Sequence, residues 1–555
     1  MSEPNPHDRR WLTLSVLCLS LLIVVVGNSS LNVTLPTLTR QLHATTSELQ
    51  WVVAVYSLVF AGLLLTAGAL GDRYGRKGAL QLGLGLFLFG AALAAGSHAM
   101  WQLIVCRALM GVAAAFIMPS TLSILVNVFP SDERPKAIAI WASITGAGGA
   151  LGPVASGYLL GHFWFGSIFL VNVPIILTAL IAGRAWVPKS RDPKQARLDP
   201  VGAALSIVGL VTLVYGLIEA PNKGWASAGS LGAFGAAFVV LGIFAWWERR
   251  VDEPMLDVRY FANPAFSVGT SGMVLVFFAL FGMFFVLTQY FQLVLGYSPL
   301  VAALGGLPYG AVMILLSPST PRLSRRFGAH RVVSAGMVLL GGGMFLFTRV
   351  GLHTPYLYLV ACIVPMAAGM ALSMSPMTAS IMSAVPIRRA GAGSAMNDAT
   401  RELGASLGVA VLGSLLSSRY THRLHALVAD LPSSARGPAT ASLGGALQAA
   451  SRLPAGAAHT LTSGARLAFV DGLRLAVSVG GVLSVAAAII VYRSLPHTLG
   501  SETDLHRGTA GPELARRGVD SSDRGGVAKS ADLLPGQTGL EKHLFGVLPQ
   551  LGGEG

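Results

Sequence analysis

The chain has 555 residues, 53% of them hydrophobic and only 12% charged, and a formal net charge of +14. A water-soluble domain carries about a quarter charged residues, so this composition excludes an ordinary soluble enzyme and points to a lipid bilayer. The positive charge does not indicate a nucleic-acid partner, because Lys and Arg gather in alternate short segments between apolar runs rather than in one patch.

A membrane-crossing helix needs about 20 mostly apolar residues, and about fourteen such segments follow one another here. Their cores lie near 12–35, 51–70, 79–97, 102–127, 136–160, 165–186, 201–219, 229–247, 265–291, 300–317, 332–348, 356–375, 391–416 and 468–492. The first follows Arg9 and Arg10 as a signal peptide would. It continues past Leu35 without a small-residue cleavage pattern, so it reads as a span. Sixty-six glycines and 29 prolines fit a helical membrane protein, in which small residues allow close helix approach. Cys18, Cys106 and Cys362 sit inside apolar spans without partner spacing and read as small buried hydrophobes.

The basic residues Arg9, Arg10, Arg73, Arg76, Lys77, Arg134, Lys136, Arg249, Arg250, Arg388 and Arg389 fall in alternate loops, as do the groups within 184–197 and 322–331. The positive-inside rule places those loops and both termini in the cytoplasm. Residues 1–186 then form a six-helix bundle, and 187–200 a basic, Pro-containing cytoplasmic linker. Two additional spans occupy 201–250. A second six-helix bundle covers 251–493 with a long Ser, Ala and Gly-rich outer loop at 418–466, and 494–555 reads as a disordered, polar cytoplasmic tail. The expected fold is all-α and polytopic, arranged six, two, six.

Gly68 to Lys77 forms a charged turn, Gly-Ala-Leu-Gly-Asp-Arg-Tyr-Gly-Arg-Lys, between two apolar runs. The segment Leu323 to Arg331 echoes it in the second half, with Arg325 where the first copy has Asp72. Such an echo is expected where two similar halves surround a shared midplane site. Further along stand Arg107-Ala-Leu-Met-Gly111, the glycine-rich stretch Gly148 to Gly157 containing Pro153, Phe169-Leu-Val-Asn-Val-Pro174, and Asn397-Asp-Ala-Thr-Arg-Glu-Leu-Gly404. Gly148, Gly152 and Ser156 share one helix face, where another backbone can pack closely, and Pro153 favours a bend.

Taken in order, these motifs resemble the major facilitator superfamily, and within it the fourteen-span drug:proton antiporters, across most of the chain. The resemblance implies a gating loop at Gly71, Asp72, Arg73, Gly75 and Arg76 that clamps one conformation, against the start of the thirteenth span near Ala390. It also implies an antiporter motif at Gly148, Gly152, Pro153 and Gly157. In the family the arginine matching Arg107 commonly pairs with an aspartate of the first span. Here Asn28 stands at that position, within Val26 to Pro36, and an amide cannot exchange a proton. The remaining proton-coupling candidates are Asp398, the favoured one, and Glu402, four residues apart on one helix face with Arg401 between them, alongside Arg107. Asn28, Asn32, Trp51, Tyr56, Gln289 and Tyr290 could line a cavity offering aromatic faces and polar groups to amphipathic cations.

The function implied is proton-coupled export of hydrophobic or amphipathic small molecules by alternating access, from a bacterial cell membrane and as a functional monomer. An uptake carrier or uniporter of the same fold is the alternative, and a non-transporting sensor a weaker one. No phosphate-binding Gly-x-x-x-x-Gly-Lys-Ser/Thr loop, metal-ligand cluster or nucleophile and base pair occurs in the sequence, so the expectation is no enzyme, no cofactor and no metal.

Overall fold

The computed structural model describes residues 10–130, 133–190, 199–251, 254, 258–385, 390–425, 427–428 and 432–495. The regular structure among these is helical, as a backbone surrounded by lipid must satisfy its N–H and C=O groups internally.

The first half comprises α1 (Arg10–Leu42), α2 (Thr46–Tyr74), α3 (Arg76–Ala95), α4 (Met100–Val128), α5 (Arg134–His162), the short α6 (Ser167–Leu170) and α7 (Asn172–Trp186). The start of α2 is written in the sequence: Thr45 accepts from the Glu48 backbone N–H, and the Glu48 carboxylate accepts from the Thr45 N–H at 2.8 Å, a capping box. Its end is Gly75, whose φ of +121° lies where only glycine is unstrained. There the chain turns directly into α3.

Two helices follow, α8 (Pro200–Lys223) and α9 (Ala228–Glu248). Asp199 caps α8 by accepting from the Gly202 N–H, and Pro200 occupies the first helical position. The second half contains α10 (Pro264–Gln289), which passes into a π-helical turn at Tyr290–Val294, and a broken span made of α11 (Pro299–Leu304), α12 (Leu307–Leu316) and α13 (Thr320–Phe327). It continues with α14 (Ala329–Leu346), α15 (Tyr356–Ser383), α16 (Ala390–Leu424), α17 (Ser433–Ala441), α18 (Leu443–Ala450) and α19 (Ala455–Ser494).

Among the described residues, 12 helices are long and apolar enough to cross a membrane. The 29-residue α5 and the 35-residue α16 are not among them. α16 carries Asp398, Arg401 and Glu402 inside its length, which lowers its hydropathy. Residues 191–198 of the expected linker and the expected tail from residue 496 lie outside the described residues.

The expected long loop at 418–466 differs. α16 runs on to Leu424, α17 and α18 fill the middle, and α19 begins at Ala455. Alanine is the strongest helix former, and these short helices gain the support of a docking surface: Thr46 Oγ1 donates to Ala441 O at 3.0 Å, Ser442 Oγ to Ala44 O at 3.4 Å, and Tyr420 Oη to Ala439 O at 2.8 Å. The segment therefore rests on the turn between α1 and α2 as well as on its own half.

Within the first half, α1 packs on α5 and α2 on α4; within the second, α10 packs on α16 and α14 on α15. The halves meet where α2 lies against α16 and α5 against α11, and α8 lies against both α2 and α16. The Trp51 and Tyr215 rings meet there tilted, with centroids 6.4 Å apart, beside a small cluster of Ala54, Leu58, Val214, Ile218 and Ala410.

Candidate functional site

Arg107 of α4 is fully buried. Its guanidinium donates to Val52 O and to Gly27 O, each at 3.2 Å, and approaches Asn28 Oδ1 at 3.5 Å. The Tyr56 ring lies beneath it at 4.2 Å, a cation–π contact, with the Tyr56 hydroxyl buried and unpartnered. Gly111 allows this arrangement, since a Cβ there would lie 2.6 Å from Tyr56 O. The charge is thus dispersed over carbonyl oxygens and a ring, and no carboxylate of the first half reaches it among the described residues.

The second half brings one nearby, without an ion pair to Arg107. Glu402 of α16 faces Ser57 across the α2–α16 seam and lies within electrostatic range of Arg107, Asp398 and Arg401, while its Oε2 is buried without a hydrogen-bond partner. Asp398, one turn away, is engaged on its own helix: Arg401 Nη1 stands 3.4 Å from its Oδ1, and Asn397 Nδ2 donates to the same oxygen at 3.4 Å. Arg401 also donates to Thr378 Oγ1 at 3.2 Å and lies over the Phe277 ring. Of the two acidic candidates, Glu402 is the one turned toward the other half.

The seam is bonded at the end remote from Asp72. Gln50 Nε2 donates to Ala410 O, Ser414 Oγ and Val409 O at 3.0, 3.2 and 3.3 Å, Gln292 Nε2 to Val33 O at 2.9 Å, and Ser406 Oγ to Ala54 O at 3.5 Å. Gln50 and Ser57 are functional candidates that the sequence reading did not place. The signal for Gln50 was present, as an amide inside an apolar run needs partners.

The glycine motif of α5 divides its contacts. A Cβ on Gly148 would press on Val25, and one on Gly152 would overlap Ser29 Oγ; Ser29 and Ser30 donate to the carbonyls of Gly148 and Gly152 at 3.2 and 3.3 Å. Those positions bind α5 to α1. Gly157 instead meets the second half, where its absent Cβ leaves room for the backbone of Pro299 and Leu300. Pro153 is half-buried inside the helix.

In the charged turn, Arg76 Nε donates to Asp72 Oδ1 at 2.6 Å, the Arg76 N–H to Ser190 O at 3.0 Å, and Lys77 Nζ to Arg184 O at 2.8 Å. Arg73 lies over Tyr74, and Gly71 packs on Ala79 and near Ser120. These contacts stay within the first half. The side chain of Ala390, the expected clamp partner, lies outside the described residues.

The six cavity candidates separate. Asn28 and Asn32 are half-buried on α1, and Asn32 Oδ1 has no partner. Tyr56 supports Arg107. Trp51 faces α8 rather than the seam's centre, Gln289 donates to Phe285 O at 3.1 Å, and Tyr290 Oη bonds Gly351 O at 2.7 Å and Thr354 Oγ1 at 3.0 Å, holding the α14–α15 turn. Among the described residues no group of three or more His, Cys, Asp and Glu could hold a metal ion.

Comparison with known proteins agrees in family and fold. The Major Facilitator Superfamily model matches residues 17–409. The chain is 36% identical over 491 residues to the multidrug efflux pump LfrA of Mycolicibacterium smegmatis, covering 88% of this chain and 97% of that protein. It is 32% identical over 453 residues to the methyl viologen resistance protein SmvA of Salmonella typhimurium, covering 80% and 90%. Among solved structures, a bacterial homolog of the human lysosomal transporter Spinster, inward-facing and unoccupied, shares the fold with a TM-score of 0.62 at 17% identity, covering 89% of this chain and 98% of that one.

Proposed function

The chain belongs to the Major Facilitator Superfamily, and we propose that it exports small amphipathic molecules from the cell in exchange for protons, with Glu402 as the group that carries the proton. The similarity to LfrA and SmvA supports drug efflux. The observation that carries the proton assignment is the position of Glu402: a carboxyl with an unpartnered buried oxygen, on the seam between halves and within range of Arg107. Asn28 cannot exchange a proton, and Asp398 is held by Arg401 and Asn397. A carboxyl whose access to water and to a guanidinium changes as the seam opens alternately is what exchange requires.

The twelve apolar helices, with the long α5 and α16, support a fourteen-span reading in which α8 and α9 are the additional pair. Under the positive-inside rule the Asp72 end is cytoplasmic and the Thr46 end external, and both termini lie inside. The halves are hydrogen-bonded to each other at the Thr46 end, so this conformation is closed to the outside and faces inward. Asp72 and its neighbours then form the gating loop in its released state, paired within their own half.

The test is efflux from vesicles containing the purified chain under an imposed pH gradient, with methyl viologen and a cationic dye as substrates. Glu402→Gln should abolish acceleration by the gradient while gradient-free exchange of substrate persists, and Asp398→Asn should keep at least part of the acceleration. A Glu402→Gln protein that responds to the gradient like the parent refutes the assignment. A parent indifferent to the gradient supports the uniporter reading, which Asn28 favours.

A further inference from the structure

At the Thr46 end, away from the seam, α16 and α19 flank an open, surface cavity of about 490 Å3 lined by Arg419, Arg423, Asp471, Arg474, Leu475 and Ser478. Its three guanidinium groups face one carboxylate. Asp471 is already committed, with Oδ2 accepting from Arg423 Nε at 3.1 Å and Oδ1 lying 3.7 Å from Arg474 Nη1. Arg474 Nη2 also donates to Val350 O at 2.8 Å. Arg419 is half-buried in the cavity wall and makes no ion pair or hydrogen bond among the described residues. The cavity therefore holds positive charge in excess of its own acid, with one guanidinium fork unused.

Its depth and surroundings identify the ligand. Val350 lies in the turn between the apolar helices Ala329–Arg349 and Tyr356–Ser383, which sets the cavity at the level of the membrane surface. From the cavity along α19, the exposed apolar residues Leu475, Val482, Leu483, Ile489 and Ile490 recur at seven- and eight-residue steps and so share one helix face. A site for an anion at the bilayer surface, continuous with an apolar stripe descending into the bilayer, matches a phospholipid: guanidinium groups bind phosphate oxygens in paired hydrogen bonds, and acyl chains lie along the stripe. We propose that this cavity binds the headgroup phosphate of an anionic phospholipid, with Arg419 as its principal ligand, Arg423 and Arg474 as flanking charges positioned by Asp471, and the chains against α19.

The site is separate from the transport seam, and its test does not depend on transport. The full chain, purified in a neutral detergent, is titrated with phosphatidylglycerol, phosphatidylcholine or inorganic phosphate, and bound molecules are counted by native mass spectrometry. Phosphatidylglycerol should bind more tightly than phosphatidylcholine. Arg419→Gln should weaken the tightest phosphatidylglycerol site about fivefold, the effect of one basic residue beside an anionic headgroup, and Arg419→Lys should recover most of it. Equal affinity of the parent chain for the two lipids overturns the proposal whatever the variants do, as does an Arg419→Gln protein that binds phosphatidylglycerol like the parent. Inorganic phosphate displacing the lipid at equal concentration assigns the cavity to a free anion and overturns it also.

Discussion

Gly157 is the point at which one atom should decide between conformations. A Cβ there would lie 2.8 Å from Leu300 Cα and 2.9 Å from Pro299 O. Carbon atoms pack at about 3.5–4.0 Å, and these are backbone atoms that cannot swing aside, so Gly157→Val forces α5 and α11 apart by about 1 Å. Overpacking of this kind costs about 1–3 kcal/mol. Because α5 and α11 belong to different halves, the cost falls on the conformation closed at the Thr46 end and shifts its population against the alternative by about 5–150-fold. Gly149 on the same helix is the control, since no atom stands within 4 Å of its absent Cβ. The assay uses a chain with Cys18, Cys106 and Cys362 replaced and spin labels at the exposed positions 98 and 353, one in each half. Gly157→Val should lengthen the distance distribution between labels and slow efflux, and Gly149→Val should do neither. An unchanged distribution in Gly157→Val, or an equal change in both variants, refutes the reasoning.

Other perturbations probe the same frame. Gln50→Leu removes the two N–H groups that Val409 O, Ala410 O and Ser414 Oγ of α16 share; at about 1 kcal/mol net per bond, partly offset because helix carbonyls keep their backbone partners, it should loosen the closed end by about 1–2 kcal/mol. A cysteine at Ser47 in the cysteine-replaced chain should then label about 5–30 times faster, and an unaltered rate contradicts the latch. Arg107→Lys keeps the charge but loses the planar fork that reaches Gly27 O and Val52 O together, so efflux should fall about tenfold or more at normal surface expression; a lysine variant with parental efflux shows that charge alone suffices. Gly75→Ala places a side chain at φ +121°, which costs about 1–3 kcal/mol and should lower the unfolding midpoint, whereas Gly78→Ala, with open space around it, should not. Equal midpoints for the two variants would remove the backbone argument.

The order of helices could be read from hydropathy because lipid leaves the backbone few other solutions. Arg107 could be read as functional for a related reason, since a charge so placed needs partners. Its neighbour on the first span, Asn28, could be read too, but Val52 and Tyr56 could not: they lie on α2, and only packing makes them neighbours. Asp398 and Glu402 share a helix face in the sequence, and which of them meets α2 depends on the rotation of α16, fixed by small contacts such as Gly404 and Gly408 against the α10 backbone. Trp51 looked like a cavity aromatic but packs against Tyr215, a residue of α8 whose position no local pattern specifies. The 418–466 segment has loop composition, yet α17 and α18 acquire helix through docking on the α1–α2 turn and on Tyr420.

The two ends of the seam are built from different chemistry, and that difference bears on how the halves could exchange states. At the Thr46 end the joining groups are amides, hydroxyls and a glycine contact, each contributing about 1 kcal/mol, so separation proceeds without exposing a buried charge pair. At the Asp72 end the charges are satisfied inside the first half, by Asp72 with Arg76 and by Arg10 with Glu133, each at 2.6 Å, so that end needs no charged partner from the second half. Neither state then leaves an unpaired buried charge at its rims, where such a charge would otherwise dominate the equilibrium. What remains to bias the balance lies between the ends, at Glu402 and Arg107. On the proposed assignment, a proton added to or removed from Glu402 changes an electrostatic interaction that lies centrally between the halves, which is why the predicted effect of Glu402→Gln is on coupling rather than on folding.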